Sequence, residues 1–138
     1  MLKAFVARLS AFGDLALSAL RVMLGIIMLI HGYVKVTHGF AIGFFHQIGI
    51  PAAQIMGPFI SLLELVGGAC LIVGLFTRYL GVLYTIEFIV ATWVIWVVTG
   101  HGYSGAEREL LILFTSILLA TNGGGQFSLD KSIRRWEP

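Results

Sequence analysis

Arg21, His31 and Lys35 stand inside LRVMLGIIMLIHGYVKV, residues 20–36, a run that is otherwise apolar. Carboxylates recur in similar surroundings: Glu64 in a second apolar run, Glu87 in a third and Glu109 at the start of a fourth. In a low-dielectric setting such cations could hold an oxyanion or a polarised carbonyl oxygen, and a partly buried carboxyl could pass protons. Spacing decides whether they can act together. From Asp14, the positions Ser18, Arg21, Gly25, Met28, Gly32 and Lys35 follow at alternating steps of four and three, which is one face of a helix. Glu64, Gly67, Leu71, Gly74 and Arg78 keep the same rhythm, as do Glu109, Leu113, Ser116, Ala120 and Gly123. Each stripe mixes charge with small residues, which let helix backbones approach closely where no hydrophobic drive acts between helices. The stripes are therefore expected to face one another, with Gly25, Gly32, Gly67, Gly68 and Gly74 as packing positions.

The elements that would carry these stripes are membrane helices. The 138 residues are 58% hydrophobic and 12% charged, and the mean hydropathy is +0.94, above what a soluble domain of this size carries. Four runs approach the roughly 20 residues needed to cross a bilayer: about 15–36, 55–76, 79–99 and 107–121. The fourth is the shortest in uncharged length and also suits a buried or re-entrant segment. The expectation is an all-α fold, one integral membrane domain over residues 1–138: a four-helix transmembrane bundle with a short interfacial helix between spans one and two. A charge at mid-bilayer costs about 2.5–3.5 kcal/mol, so Arg21 and Glu64 need partners inside the bundle.

With four spans, Lys3, Arg8, Arg78, Lys131, Arg134 and Arg135 fall on one side, and Lys35 and Arg108 near the other. The positive-inside rule makes the first side cytoplasmic, with both termini there. A signal peptide is the competing reading of residues 1–35, weighed against by an over-long apolar segment without an evident small-residue cleavage site. The scattered basic residues suit lipid headgroups and give no footprint for nucleic acid. Cys70 has no second cysteine with which to form a disulfide.

Between spans one and two, Phe40, Phe44 and Ile48 suit a short amphipathic helix in the interface, ended by Gly49 and Pro51. LFTRYLG is a tight turn, GHGYSGAER a Gly-rich exposed loop, and NGGGQ the stop of the last helix. SLDKSIRRWEP reads as a polar tail with Trp136 as an anchor. GGGQ lacks the Gly-Lys-Ser/Thr of a phosphate loop.

Plainer readings stand beside the chemical one. Arg21 and Glu64 fall at similar depth and could form a structural ion pair, while Lys35 and Arg78 could snorkel to the interfaces. Glu87, if it points outward, suggests a homo-oligomeric contact. The four histidines show no close ligand spacing, so no metal or haem site is expected. Trp93, Trp96 and Tyr103 suit an aromatic belt.

RVMLGIIMLIHGYVK, GIP, ELVGGACLIVGLFTR, Glu109 and GGGQFSLD together resemble the DoxX family of small bacterial membrane proteins, from Arg21 to Asp130. The resemblance implies a four-helix inner-membrane bundle and puts Arg21, His31, Gly32, Lys35, Glu64, Gly67, Gly68, Arg78 and Glu109 on the family's recurrent polar and glycine positions. Relatives include a membrane subunit of a quinone-linked oxidoreductase, so it also implies a redox accessory with a soluble or membrane oxidoreductase partner. Nothing marks a flavin, haem or iron–sulfur site, so electrons would pass through a quinone or a partner's cofactor. The leading expectation is a small-molecule site formed by Arg21, His31, Lys35, Glu64 and Glu109. A noncatalytic scaffold for partner proteins is one alternative. A small proton-coupled transporter is another, although the repeated halves and broken helices of such folds are missing.

Overall fold

The computed structural model describes residues 1–10 and 12–133; Arg134, Arg135 and Trp136 lie outside the described residues. The described chain is helical: α1 (Leu2–Ser10), α2 (Gly13–Thr37), α3 (Ile42–Gln47), α4 (Ala53–Val73), α5 (Thr77–Trp93) running into a π-helical turn (Val94–Val98), α6 (Gly102–Asn122) and α7 (Leu129–Ile133). Three helices are long and apolar enough to cross a membrane: Gly13–Thr37, Ala53–Val73 and Thr77–Val98. α6 has the length but carries Glu107, Arg108 and Glu109 in its opening turns. Leu, Ile, Val and Phe side chains such as Ile55, Val66, Ile86 and Leu111 cover the outside, as expected of helices whose solvent is lipid.

The four long helices pack as two antiparallel pairs, α2 with α4 and α5 with α6, joined to similar extents where α4 meets α5 and where α2 meets α6. Small residues set both crossings. A Cβ at Gly25 would lie 2.8 Å from the Gly68 carbonyl oxygen, and one at Gly32 would collide with the Leu65 backbone. At the other crossing, a Cβ on Gly81 would sit 2.6 Å from the backbone nitrogen of Ala120. Gly67 leaves room for Tyr84, whose hydroxyl donates to the Leu63 carbonyl at 3.0 Å. The α2 stripe is buried as the spacing predicts, from Ser18 through Arg21, Gly25 and Met28 to Gly32. On α6 the buried face is Ala106, Glu109, Ile112, Ser116 and Leu119, shifted by one position from the expected Leu113 and Ala120.

Two local expectations are corrected, and one helix is added. The GHGYSGAER loop is shorter than its glycines suggest: α6 begins at Gly102, whose φ of +65° needs no Cβ. α1 is an additional helix near the N-terminus. The tail is not merely a solvated end, because Ser128 and Asp130 are buried. Asp130 accepts hydrogen bonds from the backbone N–H groups of Phe76 (2.7 Å) and Thr77 (2.8 Å), two of the orphan donors at the start of α5. The Asp130 N–H in turn donates to Gly74 O at 2.9 Å. Gly74 and Phe76 both take left-handed backbone angles, φ +77° and +56°. For Phe76 that is a strained state, costing about 1–3 kcal/mol, and the docked tail holds it.

Candidate functional site

Helix direction governs which charges meet, because every Cα–Cβ bond leans toward its own helix N-terminus. α2 runs from the end of the bundle that carries the tail toward the end that carries α3, and α4 runs back. Lys35, near the last turn of α2, therefore leans toward the middle of the bundle. Glu64, on the opposite-running α4, leans up to meet it: Lys35 Nζ lies 2.7 Å from Glu64 Oε1, with Glu64 1% exposed. Snorkelling to the nearer interface would oppose that lean, so the ion pair replaces it.

Helix register corrects the expectation for Arg21: Gly25 faces Gly68 and Gly32 faces Leu65, so Glu64 is level with the last turns of α2 while Arg21 lies about three turns nearer the tail, beside Gly74. The Arg21 side chain leans toward the tail end, away from Glu64, and does not line the cavity described below. Arg21 is buried, 2% exposed, with Nη2 donating to the Phe127 carbonyl oxygen at 2.9 Å. The guanidinium packs against Gly74 and Ser128, and Asp130 is the facing negative charge. Gly74 is accordingly a turn and tail-docking position. Arg21 belongs to the latch that fixes the tail, and the pairing of Arg21 with Glu64 does not form.

The remaining expected residues converge. His31, Lys35, Glu64 and Glu109 line one cavity of about 390 Å³, together with Glu87 and Arg108. Its other walls are apolar, from Phe44 and Phe45 of α3 to Phe88 of α5 and Val94 of the π-helical turn. A volume in the range of small-molecule sites, apolar walls and a few convergent polar groups are the usual features of a ligand pocket. His31 is half-buried within electrostatic reach of Glu64, Arg108, Lys35 and Glu109. Glu109 is buried and receives Arg108 Nη2 at 2.7 Å, while the Arg108 side chain is 65% exposed. Arg108 stands near the start of α6, so its lean carries it outward. The π-helical turn widens α5 where Val94 and Ile95 border the cavity, a distortion often found at functional sites.

Glu87 is the site residue that sequence reasoning left open. It points inward and lines the cavity beside Glu64. The suggestion of a homo-oligomeric contact rested on an outward Glu87 and loses that basis. The signal was present: Leu80, Tyr84, Glu87, Ala91 and Val94 repeat the four-three rhythm of the other stripes. Oε2 of Glu64, Glu87 and Glu109 has no hydrogen-bond partner among the described residues, so each can accept from a bound molecule. No group of three or more His, Cys, Asp or Glu side chains among the described residues is arranged to hold a metal ion. Cys70 is a free, half-buried thiol away from the cavity lining.

An all-helical membrane protein with glycine-set crossings and one ionic cavity is the class that these features define. The chain belongs to the DoxX family, whose model matches residues 16–98. It is 40% identical over 114 residues to the Bacillus subtilis (strain 168) protein named "Putative oxidoreductase CatD", covering 80% of this chain and 81% of that one. It is also 27% identical over 141 residues to "Uncharacterized membrane protein Rv3486" of Mycobacterium tuberculosis (strain ATCC 25618 / H37Rv), covering 92% of this chain and 86% of that one. No solved structure gives a significant match.

Proposed function

We propose that the chain is a multi-pass protein of the bacterial cytoplasmic membrane that binds a quinone-like molecule in the cavity and serves as the membrane subunit or accessory of a quinone-linked oxidoreductase. In this reading α6 is the fourth span, α3 lies in the far interface and both ends of the chain are cytoplasmic. The observation that carries it is the convergence of Lys35, Glu64 and Glu87, with His31, Arg108 and Glu109, from four helices on one largely apolar cavity. Such groups are costly inside a membrane and face bundle interiors where they serve ligands or protons. The name of the Bacillus relative supports a redox setting.

A quinone ring that gains two electrons must also gain two protons. Electrons would come from the cofactor of a partner oxidoreductase. Lys35 would hold a ring oxygen, and the neighbouring carboxyls of Glu64 and Glu87 would give or take the protons. Titration of the nanodisc-embedded protein with a decyl-tailed benzoquinone tests this. Wild type should bind one per chain, and Lys35→Met and Glu64→Gln at least tenfold more weakly. No saturable binding, or equal binding by all three, removes the proposal.

A further inference from the structure

The way into the cavity can be read from which of its lining residues also face outward. Between α2 and α4 there is no opening, because the Gly25, Gly32 and Gly68 contacts bring the backbones together. Gly81 against Ser116 and Ala120 closes α5 on α6 at the tail end, and nearer the cavity the π-helical turn packs on α6, with Ile95 beside Gly105. α4 and α5 touch where Gly67 meets Leu80 and Tyr84 and where the Tyr84 hydroxyl reaches Leu63. Nearer α3, the residues on both sides of that seam border the cavity. Phe59 of α4 is 52% exposed there, and Leu83, Ile86 and Val90 of α5 are 40%, 58% and 46% exposed. Side chains that line a cavity and are half open to the surroundings form a mouth. Phe44 and Arg108, which are exposed lining residues too, mark a polar opening toward the α3 end, whereas the α4–α5 mouth carries no polar side chain at its rim.

Its position decides what can use it. Ile86 and Val90 lie in the interior of α5 and Phe59 in that of α4, away from the helix ends, so the mouth opens at the depth of the lipid chains. The ionic groups stand behind it. We infer that the cavity is loaded sideways from the bilayer through the cleft between α4 and α5, and that its ligand is a membrane-dissolved amphiphile whose polar head meets Lys35, Glu64 and Glu87 while its apolar tail stays among the lipids. The inference rests on the cavity being a ligand site. A space of about 390 Å³ is near the lower end for small-molecule pockets; it suits a substituted ring, and a long chain attached to that ring would leave through the mouth.

Loading of a decyl-tailed benzoquinone into nanodisc-embedded protein, followed by stopped-flow quenching of tryptophan fluorescence, tests the route. The double variant Ile86→Phe with Val90→Phe fills the rim from the lipid side and should slow loading at least tenfold. Phe59→Ala widens the rim and should load at least as fast as wild type. Leu111→Phe, on an outward part of α6 away from the mouth, should load as wild type does. If the filled-rim variant loads at the wild-type rate, or Leu111→Phe slows loading as much, the lateral route is wrong while the site reading stands. If wild type binds no probe, the site reading fails and the route with it.

Discussion

Replacing Lys35 and Glu64 singly and together separates a structural ion pair from a ligand site. Lys35→Met leaves the Glu64 carboxyl, 1% exposed, without its cation and beside Glu87; removing one partner of a buried pair costs about 3–5 kcal/mol. Glu64→Leu is milder, because the Lys35 side chain is 27% exposed and can turn toward the interface. Its cost should be about 1.5–3 kcal/mol, the loss of a hydrogen bond to a charged group. The double variant Lys35→Met with Glu64→Leu removes both charges and fills the space with apolar atoms, so it should return to within about 1 kcal/mol of wild type. Reversible unfolding in mixed micelles, followed by circular dichroism, would therefore give a coupling energy above about 2 kcal/mol. Quinone binding should follow a different pattern and be weakened at least tenfold in all three variants. Additive stabilities, with coupling under about 0.5 kcal/mol, would mean that the pair is not formed. A double variant that is stable and binds as wild type would mean that the pair only holds helices together.

Three further outcomes follow from other contacts. Gly32→Ala puts a Cβ onto the Leu65 backbone and should destabilise by about 1–3 kcal/mol through overpacking, whereas Gly13→Ala, with nothing within 4 Å, should not; the same unfolding assay compares them. Asp130→Ala leaves the Phe76 and Thr77 N–H groups and Arg21 without their acceptor or counter-charge, an expected loss of about 3 kcal/mol or more at about 1.5–3 kcal/mol per charge-assisted bond. Limited proteolysis should then cut the tail near Phe127 at least tenfold faster than in wild type. Glu109→Gln should change stability by less than about 1 kcal/mol, since Arg108 is largely exposed, yet weaken quinone binding several-fold; unchanged binding would remove Glu109 from the site.

Much of the framework was legible because membrane helices announce themselves by length and apolarity, and their contact faces by glycine at steps of three and four. Gly25, Gly32 and Gly68 mark the α2–α4 crossing in the sequence as clearly as in the fold. Pairing of charges was harder to read, because depth counted from the ends of apolar runs does not fix the register of two helices. Gly25 faces Gly68 and Gly32 faces Leu65, so Lys35 and Glu64 are nearly level and meet, while Arg21 stands about three turns away beside Gly74. Glu87 was missed although its helix carries the same rhythm, since its stripe has Leu80, Tyr84 and Ala91 in place of glycine. The polar composition of the tail suggests a solvated end. Asp130 is polar because α5 begins with N–H groups that need an acceptor, a long-range contact that no local pattern announces.

A structure of the nanodisc-embedded protein with the decyl-tailed benzoquinone tests the central claim most directly. The account predicts the ring inside the cavity, an oxygen within hydrogen-bond distance of Lys35 Nζ or the Glu64 carboxyl, and the tail passing between Phe59 and Ile86. A cavity closed by packed side chains, or a ring seated elsewhere with Lys35, Glu64 and Glu87 untouched, would contradict it.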